Sequence, residues 1–482
     1  MPDSFPADVP KLGPHASTMV ENRTFEEIAV GDSANVVRTL KPEDIQLFAI
    51  VSGDVNPAHL DPAYAATDTF HRIIAHGMWT AGLISSVLGT KLPGPGTIYL
   101  GQDLRFLHPV GLGDTVTATV TVREKRPDKG NLLLDCVCTN QNGKQVVTGT
   151  AEVRAPTEKV RRPRVELPAI MLSRHERFRE LLTRTAGQPP VVTAVVHPCD
   201  AAALAAASEA ARLGLITPIL VGPETRMRAV ASAEGIDIAA FRLVDTPHSH
   251  ASAATGVALV RNGTAAMLMK GSLHTDELMS AVVDAEHGLR TERRISHVYL
   301  MDVPAYPRPL IITDAAINIA PTLEDKRDIV QNAIDFAHVM GIEKPKVALL
   351  SAVETVTGKL RSTLDAAALC KMADRGQISG GLLDGPLALD NAVSKAAAAE
   401  KGIVSEVAGR ADILLVPDLE AGNMLAKELT FMAGADAAGV VLGARVPIVL
   451  ASRADGERTR TASCAVATLM AHARSALGER TK

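Results

Sequence analysis

The chain has 482 residues, of which 46% are hydrophobic but only 3% aromatic, and a net charge of −4. That length provides for about three compact units with ample core. The charge gives no footing for nucleic acid or an anionic membrane surface, and no apolar run reaches the length of a bilayer span. The five cysteines include no C-x-x-C pair; they read as free buried thiols in a reducing cytoplasm. Cys136 and Cys138 share a strand face without further metal-ligand types nearby. The first residues, MPDSFPADVPKLG, carry neither a basic nor an apolar leader region.

Residues 1–20 are rich in proline and polar groups, as in a loose arm. Phe25 to Asp32 lead into a strand at about 34–40. Lys41-Pro42-Glu43-Asp44 then opens a helix, with proline in its first turn. The next stretch is Ser52-Gly53-Asp54-Val55-Asn56-Pro57-Ala58-His59. An Asn-Pro step cannot continue a helix, so this loop is free to fold Asp54 and His59 back toward one point. Downstream, Met78, Trp79, Leu83, Ile84, Val87 and Leu88 recur at helical spacing, which predicts a buried helix over 77–91 starting at Gly77. A helix N-terminus offers free N–H groups and a positive dipole end. The pattern is that of a general acid/base pair facing an oxyanion hole. His76 is read as shaping the turn. Strand-like runs follow at 98–106, 115–124, 131–140 and 146–154, separated by Asp128-Lys129-Gly130 and Asn142-Gly143 turns, as in an antiparallel sheet.

The loop 52–59 followed by His76-Gly77-Met78 resembles the motif of MaoC-like, R-specific enoyl-CoA hydratases. Phe106-Leu107-His108-Pro109-Val110 and Gly113-Asp114 resemble the strand entry after the central helix of that family. The resemblance spans about 20–155. It implies an α+β hotdog domain, an antiparallel sheet around a central helix, and carries catalytic roles to Asp54, His59 and Gly77, with Asn56 as a substrate-binding candidate.

Residues 156–175 read as a linker in which Arg161, Arg162 and Arg164 are solvated. From about 176 the texture changes to apolar strands alternating with Ala-rich helices, a βαβ grammar with a largely parallel sheet. Buried strands are expected at 191–196, 219–222, 264–270, 297–302, 310–313, 346–350 and 411–417, each with a helix downstream. Ligands of such sheets bind at strand carboxyl ends. One end holds Lys270, Gly271 and Thr275, with Gly271 for close backbone approach and Thr275 as a helix cap; for Lys270 the plain alternative is an exposed charge. Another holds Asn318, followed by Thr322 and Asp325 at capping-box spacing. The last holds Ser452, Arg453 and Asp455. His248 and His250, near Asp245, read as solvated loop histidines, and Cys199 as core.

The ordered set of strand ends over about 185–475 resembles the phosphate acetyl/butyryltransferase family, an α/β two-lobed fold. Ala352-Val353-Glu354, Gly385-Pro386-Leu387 and Asp390-Asn391-Ala392 are similar to the butyryltransferase branch. The resemblance implies that Ser452 orients the reacting groups and Arg453 grips phosphate, the planar guanidinium suiting phosphate oxygens. Asp455 and Glu457 are the nearest acids for a base, at shorter spacing than in acetyltransferases. Acetyl-type enzymes carry an arginine where this chain has Ser280; Lys270 or Arg290 are the candidate substitutes.

The combined expectation is a bifunctional acyl-CoA enzyme. Its first domain hydrates trans-2-enoyl-CoA to the (R)-3-hydroxyacyl-CoA. Its second exchanges acyl groups between CoA and phosphate. CoA thioester and phosphate are substrates, no metal or resident cofactor is required, and family habit implies a homo-oligomer. The rival readings are a transferase with a non-catalytic hotdog module for dimerisation or CoA binding, and a non-catalytic acyl-CoA sensor.

Overall fold

The computed structural model describes residues 19–165, 167, 170, 176–450 and 455–480. They fall into two compact units, 1–170 and 171–482. Among the described residues no helix is long and apolar enough to cross a membrane.

The first unit is a five-stranded antiparallel sheet in the order Ser33–Thr39, Thr115–Arg126, Asn131–Thr139, Gln145–Arg154, Ile98–Phe106. Its strands alternate as period-two patterning demands: Val116, Ala118, Val120 and Val122 are buried while their neighbours are not. That face covers the helix Gly77–Thr90, which buries Trp79, Leu83, Ile84, Val87 and Leu88 in the same core. Each such side chain contributes roughly 1.5–3 kcal/mol on burial. Met78, expected in the buried stripe, is instead 56% exposed; it lies one position from Trp79 and faces away from the sheet.

One other expectation changes, and two hold. Met19–Glu21 pairs antiparallel with Arg161–Pro163, so the arm and the linker meet in a small ribbon. Arg161, Arg162 and Arg164 are exposed, as expected. Cys136 and Cys138 sit side by side in the core as free thiols, pushed up by burial to about 11 and about 12.

The second unit is built on an eleven-stranded sheet. Its order is Arg242–Asp245, Ile216–Gly222, Val191–Val196, Met267–Lys270, Ile448–Val449, Asp436–Leu442, Ser296–Asp302, Leu310–Thr313, Ile413–Leu415, Lys346–Leu350, Leu382–Leu387. The first five strands are mutually parallel, and so are the last four. Three antiparallel pairings in the middle join the blocks. The expected parallel sheet is therefore mixed. Ser296–Asp302 connects to its neighbour through a hairpin loop rather than a helix, because an antiparallel partner needs no crossover. Its burial on both faces gave it the look of a parallel strand. With three reversals, the two parallel blocks run in opposite directions. The carboxyl end holding Lys270 and the one holding Thr313 lie on opposite edges of the sheet.

Candidate active sites

The helix Pro42–Ser52 ends where Gly53 takes φ 75°, its N–H donating to the Ala49 carbonyl at 2.8 Å. A residue with Cβ pays a steric penalty in that left-handed region. Asn56 then caps a one-turn helix, Pro57–Leu60, its Oδ1 accepting from the Ala58 N–H at 3.1 Å. Pro57 fits its first position because no N–H is needed there. His59 thus rides on a helical turn rather than an open loop. The Asn56 side chain is spent on capping, which makes it a support for His59.

The Nδ1 of His59 lies 2.9 Å from the Ile74 carbonyl oxygen. A carbonyl only accepts, so neutral His59 carries its proton on Nδ1 and keeps a lone pair on Nε2. The Asp54 carboxylate accepts the Asn56 N–H at 3.2 Å and stays exposed. His76 is 2% exposed, and its ring centroid is 4.0 Å from that of His59. Its Nε2 donates to the Asp54 backbone carbonyl at 3.0 Å, and its Nδ1 is buried without a partner. Desolvation holds its pKa below the ordinary value, against the opposing hydrogen bond to Asp54. The ring is therefore neutral, since a second proton would sit on the orphan Nδ1. One ligand-type atom each from Asp54, His59 and His76 lie within 4.8 Å of one another. The structure brings Asp54 and His59 together, as the loop reading expected, and adds His76, whose one signal was its place beside Gly77.

His76 also caps the helix whose first residue is Gly77. The first N–H groups of a helix have no acceptor within it. A Cβ at Gly77 would lie 2.9 Å from the Phe106 ring, so a larger residue crowds this backbone unless that ring moves. One residue, His76, therefore links the loop carrying Asp54 and His59 to the helix start at Gly77.

In the second unit the predicted residues are dispersed. Lys270 is 5% exposed, and its Nζ donates to the carbonyls of Gly271 (3.2 Å) and Leu273 (3.0 Å); the exposed-charge alternative fails. A Cβ on Gly271 would meet the Val196 and His197 carbonyl oxygens at 2.4 and 2.5 Å, so the strand end requires glycine. Thr275 is the first residue of its helix rather than the cap. The cap is His274, whose N–H donates to Glu277 at 2.9 Å. Thr322 and Asp325 do form the expected capping box.

Asn318 is 3% exposed and fully engaged. Its amide donates to the Ile295 carbonyl and to Asp314, at 2.9 and 2.5 Å, and its Oδ1 accepts from Arg294 at 2.7 Å. It secures a buried aspartate on the sheet edge opposite Lys270. Burial pushes the Asp314 carboxyl up, against four hydrogen bonds that favour its anion. Asp455 stands ahead of the long helix Glu457–Arg480, its carbonyl accepting from Arg460 at 3.1 Å. Ser452 and Arg453 lie outside the described residues. Ser280 and Arg290 are exposed.

His248 caps the helix Ser249–Arg261 through Nδ1, 3.2 Å from the Ala251 N–H, and His250 lies 3.4 Å from Glu277. Both are exposed, as the solvated reading expected, but they stand at a helix start rather than in an open loop: His248 is the cap and His250 lies in the first turn. Sequence reading missed His197, which is 8% exposed at φ 56° beside Gly271. Its ring meets Ser252 at 3.0 Å and its carbonyl accepts from Ser272. A His-Pro step closing an apolar strand was the available signal.

Two family descriptions match the chain: "MaoC like domain" over residues 28–133 and "Phosphate acetyl/butaryl transferase" over 249–468. A phosphate acetyltransferase of Rhizobium meliloti is 62% identical over 300 residues, covering 62% of this chain and 95% of that protein. A phosphate butyryltransferase of Clostridium acetobutylicum is 42% identical over 294 residues, covering 61% of this chain and 98% of its own. The butyryl-like stretches noted in the sequence thus sit in a chain whose higher overall identity is to an acetyltransferase. Among solved structures, a branched-chain phosphotransacylase from Enterococcus faecalis V583 is 30% identical with TM-score 0.52, covering 58% of this chain and 99% of its own. The R-hydratase PhaJ1 from Pseudomonas aeruginosa is 50% identical, covering 32% of this chain and 99% of its own, with TM-score 0.31. The chain belongs to the phosphate acetyl/butyryltransferase family and carries a MaoC-like hotdog domain ahead of the transferase fold.

Proposed function

We propose that the protein is bifunctional, hydrating trans-2-enoyl-CoA in its first unit and transferring acetyl between CoA and phosphate in its second. The observation that carries the first activity is the convergence of Asp54, His59 and His76 beside the Gly77 helix start. A water held by the Asp54 carboxylate and His59 Nε2 loses a proton as its oxygen bonds to the β-carbon. A proton is delivered to the α-carbon, and the Gly77 N–H faces the charge that grows on the thioester oxygen. Neutral His76 holds the Asp54 backbone in register with that helix. No metal enters these steps, and the (R) product rests on the family resemblance alone.

In the second unit phosphate attacks the thioester carbonyl and CoA leaves as the thiol. Arg453 is assigned to phosphate and Ser452 to orientation of the reacting groups, on the resemblance of that dipeptide. The base is Asp455 or Glu457. Acetyl is favoured as the acyl group by the 62% identity to the Rhizobium meliloti enzyme.

The hotdog sheet ends on strand Ile98–Phe106, whose Ile98, Leu100 and Phe106 are exposed. A free apolar edge of this kind invites a partner strand, which supports pairing with a second copy.

The test is the conjugated-thioester absorbance of crotonyl-CoA without phosphate, for wild type and Asp54→Asn. General acid/base loss predicts a drop of about 10²–10⁴-fold in hydration, while phosphate-dependent thiol release from acetyl-CoA stays intact. No hydration by the wild type would leave a transferase with a hotdog module that only binds or assembles.

A further inference from the structure

One cluster of cations in the transferase unit serves neither the proposed chemistry nor any full set of ion pairs. A cavity of about 560 Å³ is walled by Arg293, Arg445, Arg474 and Thr291, with Asp335 and Glu292 as its acidic members. The arginines come from three separate segments: the loop before Ser296–Asp302, the turn after Asp436–Leu442, and the helix Glu457–Arg480. Val339, Leu442 and Met470 give the cavity an apolar floor.

The charges do not cancel. Asp335 is taken by Arg293, and its other oxygen accepts from Gln331 at 3.0 Å. Glu292 is exposed and makes no ion pair among the described residues. Arg474 is half-buried, yet among the described residues its one hydrogen bond is to the Ala444 carbonyl, at 2.7 Å. A guanidinium has five N–H donors, so most of this one finds no acceptor among the described residues. Burial pulls its pKa down, Asp335 acts against that, and Arg293 adds to it. A partly desolvated cation without a counter-ion is costly. Arg445 is exposed and its side chain has no partner among the described residues.

The wall is fixed rather than loose. Gly443 has φ 79°, and a Cβ there would meet the Arg294 carbonyl oxygen at 2.3 Å. Its own carbonyl accepts from the Thr291 hydroxyl at 2.6 Å, and the Arg445 N–H donates to the Leu289 carbonyl at 2.8 Å. The turn that presents Arg445 is therefore pinned to residues 289–294, and the Arg474 bond to the Ala444 carbonyl ties it to the C-terminal helix.

We propose that this cavity binds a small metabolite bearing a phosphate or carboxylate group, its oxygens held by the guanidinium groups of Arg445 and Arg474 and its short carbon body on the apolar floor. Planar guanidinium forks match either oxyanion. A ligand there would tie the 443–445 turn to the C-terminal helix and raise the melting temperature of the transferase unit.

The experiment is isothermal titration of the full chain with glycerol 3-phosphate and, separately, with succinate. Wild type, Arg445→Ala and Arg474→Met are compared. Phosphate capture at the transferase site is common to all three proteins, so the difference between them reports this cavity. We expect at least one compound to bind the wild type, with the arm that responds telling phosphate from carboxylate. Affinity should fall tenfold or more in Arg445→Ala, and the ligand-induced rise in melting temperature should vanish with it. That side chain is exposed, so its removal spares the fold even if Arg474→Met does not. No heat with either compound, or an isotherm unchanged by Arg445→Ala, overturns the proposal.

Discussion

The two units assemble their candidate sites by different routes. In the hotdog unit Asp54, His59, His76 and Gly77 lie close in sequence, and three short devices bring them together: a glycine C-cap, an asparagine N-cap and a helix start. In the transferase unit Lys270, Asn318 and Asp455 are spread over the chain, and the direction of each strand decides which edge of the sheet they reach. A site made of local turns depends on local chemistry. A site made of strand ends depends on topology, which no single stretch carries.

That contrast predicts that the units can be damaged separately. The largest effect is expected at the Lys326–Asp365 pair, 2.7 Å apart with side chains 5% and 10% exposed. Asp365→Ala strands a buried ammonium, at a cost of about 3–5 kcal/mol. Denaturant unfolding followed by phosphate-dependent thiol release should show the transferase failing early, with crotonyl-CoA hydration persisting. Simultaneous loss of both activities would mean that the units unfold as one.

A smaller effect is expected at Gly77. Gly77→Ala pushes a methyl group into the Phe106 ring, which is 52% exposed and has room to swing. The helix start shifts only slightly, so hydration should fall on the order of 10- to 100-fold through misplaced donors. Adding Phe106→Ala should restore part of the rate. A Gly77→Ala enzyme with wild-type turnover would remove this N–H from the mechanism.

The smallest effect is on pH dependence. His76 has a folded pKa below its ordinary 6.5, with desolvation the largest cause. Its contribution to stability is fully present above that ordinary value and is lost as pH falls toward the folded one. The hotdog unit should therefore weaken below about pH 6.5, the ordinary imidazole range. His76→Gln keeps a donor toward Asp54 and removes the ionisation, so the acid limb of its stability profile should flatten. An unchanged profile would place the acid sensitivity elsewhere.

Much of the local structure was legible. The helix from Gly77, the five hotdog strands within one or two residues, and the Thr322–Asp325 box followed from period, caps and turns. Errors came where tertiary contacts override local preference. Lys270 reads in the sequence as a strand-end site residue with an exposed charge as the alternative; the alternative fails because two carbonyls at its own strand end make burial of the ammonium tolerable. Asn318 looked like a ligand group, but Asp314 and Arg294 consume its amide. His76 looked like turn geometry, and its link to the Asp54 backbone crosses 22 residues.

The sequence by itself determined the family of each unit, the hotdog strands and central helix, and the short loop that carries Asp54 and His59 toward one point. Those rest on spacing and on side chains that act within a few residues of themselves. Only the tertiary structure decided the mixed direction of the large sheet, the opposite edges of its strand ends, the neutral buried His76 and an Arg474 that makes no ion pair among the described residues. Each depends on what distant segments place around a group: a buried strand reads alike whether its neighbour is parallel or antiparallel, and a charge is paired or stranded only once the chain has closed around it.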